Sequence, residues 1–390
     1  MSAETTVIRV GIVGCGEVAQ TTHLPTLALL SHLFRVTALC DVSPGFLKHC
    51  AKKFGIRNTY SDYSALVKDP EVDLVMILTA DEYHACIAVE AADAGKAVFI
   101  EKPMALTVED ADAIIEAEKR NNATILVGYM RRYAAAYERM KEEVASIKDI
   151  RYATVRDIIG PASQHSPLSD ATHKADLSSR LTSQNSVFVA QSGTFSAAFS
   201  DFPDAANEDR LTRGRAIAQK ALSPEQADSP RDVSTYRLLG SLGSHDLSAM
   251  RELLGVPRRC IAATRAQGDG APFMTALFDY GGFTCTYETG IDEVADFDAH
   301  IEVIGDGKRV KISYDTPYVK GLPITIQVKE RDSTGAYVER TIRPSYTDAY
   351  TLELESLHAS LTRGKPVKTT PSDAKEDLDI FAMVMGALVN

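Results

Sequence analysis

The sequence predicts an α/β domain with a doubly wound parallel sheet, followed by an α+β domain with an open, mainly antiparallel sheet. Three observations support this. The first 130 residues alternate strand-like and helix-like patterns, and a glycine-rich turn joins the first strand to the first helix. After Arg258 the patterns are mostly strands with glycine turns. Alternating βα units favour a parallel sheet, whereas consecutive strands favour an antiparallel one.

Length and composition indicate two domains in an ordinary globular protein. The chain has 390 residues, of which 45% are hydrophobic and 24% charged, and a single core rarely serves a chain of this length. We divide it into residues 1–130 and 131–390. Residues 161–232 form a long insertion of weak periodicity that we expect to act as a lid over the pocket. Whether the C-terminal helices pack back on the first domain is left undecided.

Charge and cysteine usage exclude several function classes. The formal net charge is −11, which disfavours nucleic acid and anionic membranes as partners. We expect no membrane span, because no apolar run approaches the roughly 20 residues that a spanning helix needs. The N-terminus lacks a signal-peptide pattern. Six scattered cysteines without a CxxC pair predict a reducing, cytoplasmic location, no disulfide set and no metal site.

The elements of the first domain are predicted in order from periodicity, caps and glycines. Continuous apolar runs indicate strands buried on both faces. Ser43-Pro44 predicts a helix start, and Gly55 the end of that helix. The predicted strands are 7–13, 35–40, 72–78, 97–100 and 124–127, and the predicted helices are 17–30 with a break at Pro25, 44–54, 82–94 and 107–121.

The second domain begins with a charged helix and an alternating strand. The helix is predicted over 133–144, the strand over 151–159, and two helical pieces near 206–222. Strands with glycine turns fill 258–342, and two helices, 350–361 and 372–389, end the chain. Alternate apolar positions of Phe273–Phe278 and Phe283–Tyr287 need a cover, so we expect a homodimer or homotetramer that pairs through this sheet.

Residues 14–19 form a G-x-G-x-x-A turn between a strand and a helix. Gly14 allows the tight turn, Gly16 lets the backbone approach a pyrophosphate, and the small Ala19 lets the helix pack closely. The helix start at Glu17 and Val18 offers unpaired N–H groups to phosphate. We therefore predict a dinucleotide site of the Rossmann type.

Asp41 ends the second strand, 25 residues after Gly16. A carboxylate at this position accepts hydrogen bonds from the ribose hydroxyls of NAD and repels the 2′-phosphate of NADP. We predict NAD as the cofactor. NADP stays possible, since Lys48 or Arg57 could reach a phosphate.

The motif Glu101-Lys102-Pro103 follows the fifth strand, where a ligand of a parallel sheet binds. Together with several other segments it makes the chain resemble the Gfo/Idh/MocA oxidoreductases, the relatives of glucose–fructose oxidoreductase and inositol dehydrogenase. The resemblance covers nearly the whole chain; its other segments are 11–16 with His23 and Pro25, 79–84, 128–133, 243–246 to 254–255, 352–353 and 364–366.

The resemblance implies a substrate site over the nicotinamide, with Lys102 and His245 as its polar centre. In many members an acidic residue lies four positions before the histidine, but this chain has Ser241 there. Asp246 is no simple substitute, because one helical step turns a side chain by about 100°. The proline that the family has before the His84 segment is also missing.

Chemistry assigns a role to each of these groups. His245 can exchange a proton with a substrate oxygen, and Lys102 can stabilise an alkoxide and relay a proton. The alternatives are a capping or core histidine and a lysine paired with Glu101. Thr79, His84, Glu101 and Lys102 are expected at the cofactor, although His84 fits a packed interior equally well and Glu101 a surface carboxylate. On the substrate side we expect Tyr129, Arg131, Asp157, Ser241 and Asp246, with an ion pair of Arg131 to Glu138 or Asp157 as the alternative.

These assignments predict an NAD(P)-dependent dehydrogenase or reductase acting on CH–OH groups of a sugar, polyol or related hydroxy compound. The substrate is a small polyhydroxy or carbonyl molecule. Two alternatives keep the fold. One is a glycoside hydrolase with a transient redox cycle, and the other is a non-catalytic dinucleotide-binding sensor. Ser241 favours these alternatives, whereas Lys102 and His245 favour catalysis.

Overall fold

A computed structural model describes residues 6–160, 201–266, 273–292, 294 and 296–389 of the chain. It divides into two compact units. The first unit comprises Met1–Gly128, Ser192–Val233 and Glu353–Leu378, and the second comprises Tyr129–Gln191, Ser234–Leu352 and Asp379–Asn390. Most of the expected lid, residues 161–200, lies outside the described residues. No described helix is both long and apolar enough to cross a membrane.

The first unit contains a six-stranded parallel sheet with the order β3-β2-β1-β4-β5-β6. All of its neighbouring strands pair in parallel, which is the doubly wound arrangement that the sequence predicts. The strands are β1 (Ile8–Val13), β2 (Phe34–Cys40), β3 (Asn58–Tyr60), β4 (Leu74–Ile77), β5 (Ala97–Glu101) and β6 (Ile125–Gly128).

Two helices of this unit begin at side-chain caps, and one of them ends at a glycine. Ser43 and Thr107 accept hydrogen bonds from the third residue of their helices, and Gly55 ends a helix with a positive φ of 70°. The helices are α1 (Leu24–Leu29), α2 (Pro44–Phe54), α3 (Tyr63–Val67), α4 (His84–Asp93) and α5 (Val108–Asn121). The sequence analysis missed β3 and α3, because both are short and β3 is largely exposed.

The predicted break at Pro25 takes the form of a π-helical turn. Residues Ala19–His23 form this turn directly before α1, which carries Pro25 in its first turn. Proline cannot donate a backbone hydrogen bond, and π turns form where the regular ladder is interrupted. The turn buries His23 completely, which matters for the site described below.

The second unit contains an eight-stranded sheet with the order β14-β13-β12-β11-β7-β10-β9-β8. It is antiparallel except where β10 runs parallel to β7. The mainly antiparallel sheet of the prediction is therefore confirmed. The strands are β7 (Ile150–Ile159), β8 (Arg259–Arg265), β9 (Phe273–Asp279), β10 (Thr284–Ile291), β11 (Phe297–Gly305), β12 (Lys308–Tyr314), β13 (Thr325–Arg331) and β14 (Tyr337–Ile342).

The two faces of this sheet differ from the expectation. Alternate apolar side chains such as Phe278 and Tyr287 are fully buried within the unit. The side chains that alternate with these point to the other face, where Arg156 pairs across strands with Glu288 at 2.7 Å and with Asp298 at 2.9 Å. Part of the apolar surface that seemed to need an outside cover is thus already covered, because the alternation points it inward.

The remaining helices differ from the prediction mainly between residues 204 and 254. A single helix over Asp204–Ala221 replaces the two predicted pieces near 206–222. A second π-helical turn, Leu239–Gly243, joins the helix that ends at Leu238 to the helix that begins at Ser244. The helices are α6 (Ala135–Ala145), α7 (Asp204–Ala221), α8 (Pro224–Ala227), α9 (Pro230–Leu238), α10 (Ser244–Leu254), α11 (Ala349–Arg363) and α12 (Pro371–Gly386).

Residues of α11 and α12 contribute to both units. Residues Glu353–Leu378 belong to the first unit, which also contains almost all of the predicted first domain. Thr369 binds the edge strand β6 there: its carbonyl accepts from Val127 N at 2.9 Å, and its hydroxyl donates to Val127 O at 2.7 Å. This pairing covers an edge of the parallel sheet that would otherwise be open.

Candidate functional site

The glycine turn after β1 has the geometry that a dinucleotide site requires. Gly14 has a φ of 100°, and a Cβ on it would lie 2.5 Å from the carbonyl oxygen of Leu78. A Cβ on Gly16, by contrast, would meet no atom within 4 Å. Gly14 is therefore required by the fold, whereas Gly16 leaves open space beside the partly exposed helix start at Glu17 and Val18.

Asp41 is held firmly at the end of β2. Its two carboxylate oxygens accept hydrogen bonds from the backbone N–H of Cys15 at 2.6 Å and of Ser43 at 2.7 Å. Burial raises the pKa of Asp41, these two hydrogen bonds oppose the rise, and the negative charge of Asp201 adds to it. The carboxylate is thus fixed beside the glycine turn, where a ribose is expected.

The two cations that could have favoured NADP lie around α2. Lys48 and Arg57 line a shallow surface cavity together with residues of α2 and the start of β3. The residues of that cavity are Pro44, Leu47, Lys48, Ala51, Ile56, Arg57 and Thr59. They do not include Asp41 or the glycine turn.

Glu101 turns inward and ties the turn that carries Lys102 to the helix after the glycine turn. Its Oε1 lies 2.7 Å from His23 Nε2, and its Oε2 accepts from Lys102 N at 3.1 Å. Burial raises the pKa of Glu101, but the hydrogen bond and charge of His23, with the charge of Lys102, lower it below its usual value. The Glu101 carboxylate therefore positions this turn, and the Lys102 side chain itself is half-buried.

His84 is buried between two main-chain carbonyls. Its Nδ1 lies 2.7 Å from Pro103 O, and its Nε2 lies 3.1 Å from Thr79 O. These contacts favour the packed interior over the pocket, and its contact with a cofactor stays a prediction. Thr79 Oγ1 is buried without a hydrogen-bond partner in the described ranges. A hydroxyl in that state at the end of β4 fits a ligand contact.

A second buried carboxylate lies near Glu101. Glu353 is fully buried, and neither of its oxygens has a hydrogen-bond partner among the described residues. Burial, and then the charge of Glu101, raise the pKa of Glu353 well above its usual value. Its surroundings therefore favour the neutral, protonated form of this carboxyl group.

In the second unit, His245 is the second residue of α10 and Ser241 lies in the π-helical turn before it. Both side chains are half-buried. Tyr287 lies against this turn, since a Cβ on Gly243 would be 2.6 Å from the Tyr287 hydroxyl. A side chain at position 243 would therefore displace the Tyr287 hydroxyl from the turn that leads to His245.

Arg131 lies buried between Asp157 and Asp246. It donates from Nη2 to Asp157 at 3.1 Å and from Nη1 to Asp246, and its guanidinium lies 4.9 Å from the ring centre of Tyr314. The ion pair with Asp157 is the alternative that the sequence left open. Glu138 instead pairs with Lys141.

This cluster holds more negative than positive groups. Burial raises the pKa of Asp246, the charge of Arg131 opposes the rise, and the charge and hydrogen bonding of Asp157 reinforce it. A protonated Asp246 can donate to Asp157, which relieves the repulsion between the two acids. Arg131 Nε and the Tyr314 hydroxyl, both buried, lack hydrogen-bond partners in the described part of the chain. The cluster can therefore still accept and donate hydrogen bonds.

The other predicted substrate residue, Tyr129, is buried under the guanidinium of Arg132, which lies 5.7 Å from its ring centre. Arg132 also pairs with Glu252 at 2.5 Å. Tyr287, Tyr314, Glu353 and Asp201 were not predicted as site residues. Strand alternation marked Tyr287 only as an apolar position that needs a cover, Glu353 belongs to a segment of the family resemblance, and no local pattern marks Tyr314 or Asp201.

Comparison with known proteins gives one family match and several relatives. Residues 8–129 match the model of an oxidoreductase family with an NAD-binding Rossmann fold. Inositol 2-dehydrogenase of Salmonella typhimurium is 38% identical over 141 residues, which cover 36% of this chain and 42% of that protein. A Lactiplantibacillus plantarum inositol 2-dehydrogenase/D-chiro-inositol 3-dehydrogenase is 40% identical over 144 residues, covering 36% and 41%. The chain thus spans about two fifths of the length of these curated relatives.

Solved structures extend the likeness to nearly the whole fold. A 3-ketoreductase from Actinomadura kijaniata, crystallised with NADP and TDP-benzene, superposes with a TM-score of 0.71. The superposition covers 98% of each chain at 17% sequence identity. At that identity the match shows the architecture of both units and leaves the chemistry to be argued from the residues.

Proposed function

We propose that this chain, whose residues 8–129 match the model of an oxidoreductase family with an NAD-binding Rossmann fold, is an NAD(P)-dependent dehydrogenase or reductase of the Gfo/Idh/MocA type. The substrate class is a secondary alcohol or ketone of a sugar, polyol or related hydroxy compound. The observation that carries the proposal is the glycine turn, where Gly14 is required by the fold and Gly16 opens space beside a fixed Asp41.

The residues of the first unit fit a dinucleotide. The N–H groups at Gly16, Glu17 and Val18 would face the pyrophosphate, and Asp41 would accept the ribose hydroxyls. Thr79 Oγ1 offers a further hydrogen bond. A bound nicotinamide supplies the hydride acceptor or donor.

Lys102 and His245 handle the substrate proton in this proposal. Oxidation of an alcohol releases a proton from oxygen, and a neutral imidazole can accept it. The ammonium of Lys102 stabilises the alkoxide that forms. Glu101 positions Lys102 through the turn it ties to His23, and Tyr287 supports the turn before His245.

The oligomer also remains a proposal. A homodimer or homotetramer would pair through the eight-stranded sheet, and the face that carries Arg156, Glu288 and Asp298 makes that interface polar. Light scattering at micromolar concentration tests this, because a monomer would contradict it.

The assay follows NADH and NADPH absorbance with inositols, sugars and their keto derivatives. We expect turnover with a polyol or its ketone, and a loss of about 100-fold or more in kcat for His245→Asn or Lys102→Met with retained NADH binding. Nicotinamide binding without turnover on any member of the panel would contradict a dehydrogenase. Product analysis with a chromogenic glycoside then separates the redox-cycling hydrolase from the sensor.

A further inference from the structure

A short segment outside the predicted dinucleotide-binding domain contacts the turns on both sides of the glycine turn. We define residues 201–213 as the clasp. β1 lies between β2 and β4 in the parallel sheet, so the turns after β2 and β4 flank the glycine turn that follows β1. The clasp binds the first of these through Asp201 and the second through Asp209, Arg210 and Arg213.

At the β2 end, the Asp201 carboxylate lies at the start of α2. Its Oδ1 accepts hydrogen bonds from Ser43 Oγ and, at 2.8 Å, from Gly45 N. The next residue of the clasp, Phe202, packs edge-to-face on Phe46 with ring centres 5.7 Å apart. The hydrogen bond from Ser43 is the main reason why the pKa of Asp201 is below its usual value. Asp201 is therefore a carboxylate anion at neutral pH.

At the β4 end, three contacts hold the clasp. Tyr83 donates its hydroxyl to Asp209 at 2.9 Å, and Arg210 Nε lies 3.3 Å from Glu82. The guanidinium of Arg213 stacks 4.9 Å from the ring centre of Tyr83. These contacts are independent of Asp201, so a change of its charge leaves the clasp anchored.

Two carboxylates thus lie together where the adenosine ribose is expected. Asp41 and Asp201 both bind groups of the turn after β2: Asp41 accepts from Ser43 N, and Asp201 accepts from Ser43 Oγ and Gly45 N. The charge of Asp201 contributes to raising the pKa of Asp41, which reports that the two interact. A 2′-phosphate would meet both charges, and the donors at the start of α2 that suit a phosphate are already engaged.

We infer that Asp201, supplied by the clasp, is a specificity-determining residue that acts with Asp41 to select NAD(H) over NADP(H). The inference rests on the proposed function and names the cofactor of that site. Asp41 accepts the ribose hydroxyls, and Asp201 both repels a 2′-phosphate and occupies its donors. A neutral side chain at 201 removes the repulsion while the ribose contacts persist.

The test compares the dissociation constants of NADH and NADPH for the full chain, measured by calorimetric titration. We expect the wild type to bind NADH more tightly, by about tenfold or more. Asp201→Asn should raise NADPH affinity up to about fivefold relative to NADH, because one exposed repelling charge is worth about that much. Asp201→Ala should raise it further, since it also frees Ser43 Oγ and Gly45 N.

Asp209→Asn is the matched control, because it removes the same charge from the other end of the clasp. Its NADPH/NADH ratio should equal that of the wild type. The inference is overturned if the wild type prefers NADPH, if Asp201→Asn changes both affinities equally, or if Asp209→Asn gives the same shift. A wild type that binds neither dinucleotide contradicts the proposed function itself and with it the inference. Circular dichroism confirms that each variant is folded.

Discussion

His23 Nε2 lies 2.7 Å from Glu101 Oε1, and both side chains are buried. This contact joins the helix that follows the glycine turn to the last residue of β5, directly before Lys102. Since the same carboxylate accepts from the Lys102 backbone, one acid links the proposed phosphate-binding end of the domain to the residue expected to act on substrate.

Replacement of Glu101 should therefore cost both stability and activity. Glu101→Ala leaves His23 buried without its acceptor, and we expect a loss of about 2–4 kcal/mol in the free energy of unfolding. Urea denaturation followed by circular dichroism measures it. Glu109→Gln, on the exposed face of α5, is the control and should change stability by less than about 0.5 kcal/mol. Equal effects of the two variants would contradict a structural role for the His23 contact.

The two glycines of the turn should respond differently to a side chain. Gly14→Ala forces a Cβ to 2.5 Å from Leu78 O at a φ of 100°, so we expect a destabilisation of about 2 kcal/mol or more. Gly16→Val meets open space and should leave the melting temperature nearly unchanged while it weakens NADH binding at least about tenfold. Thermal denaturation and calorimetric titration measure the two effects. Unchanged NADH affinity in Gly16→Val would place the dinucleotide elsewhere.

The raised pKa of Glu353 predicts that the free energy of unfolding depends on pH. Its pKa is raised in the folded state by burial and by the charge of Glu101. The folded protein thus keeps a proton on Glu353 that the unfolded chain releases above about pH 4.3. The stability that this proton contributes is fully present below that pH and is lost as the pH rises through the pKa of Glu353 in the folded state.

Glu353→Gln removes this dependence because glutamine stays neutral. We expect the variant to gain stability relative to the wild type as the pH rises from 4 to 8. Denaturation at several pH values measures the difference. Glu355→Gln, on the exposed side of the same helix, should give none. A constant difference across the pH range would show that Glu353 does not titrate as expected.

Substitutions in the Arg131 cluster should show whether Asp246 is charged or protonated in the folded protein. Arg131→Met leaves Asp157 and Asp246 buried without their cation, and we expect a loss of about 3–5 kcal/mol. Asp246→Asn should cost clearly less at neutral pH, because the raised pKa of Asp246 already favours its neutral form. Chemical denaturation measures both variants, with Arg151→Met as an exposed control. A larger loss for Asp246→Asn than for Arg131→Met would contradict a protonated Asp246.

Local signals predicted much of the first unit. Continuous apolar runs located five of its six strands, and Ser43, Thr107 and Gly55 marked helix ends, because each acts on its own neighbours in sequence. β3 was not predicted because its three largely exposed residues are too few to show a hydrophobic period. Pro25 indicated an interruption, but the π turn that buries His23 depends on Glu101, which lies 78 residues away.

The site was harder to predict because its supporting groups come from distant segments. The dinucleotide turn and Asp41 follow a local motif, and the family resemblance identified Lys102 and His245. Asp201 has no motif, and Glu353 entered only as part of the family resemblance, without a role: each acquires its role only when folding places it near Ser43 or Glu101. The apolar sheet positions were recognised correctly, but alternation alone does not tell which face the rest of the unit covers.

Because the first unit draws on three separated stretches of sequence, a fragment that ends near residue 130 would lack Thr369 at the edge of β6, Glu353 near Glu101 and the clasp at Ser43. During synthesis the chain emerges from its N-terminus. The first unit therefore reaches its finished form only after Leu378 has left the ribosome.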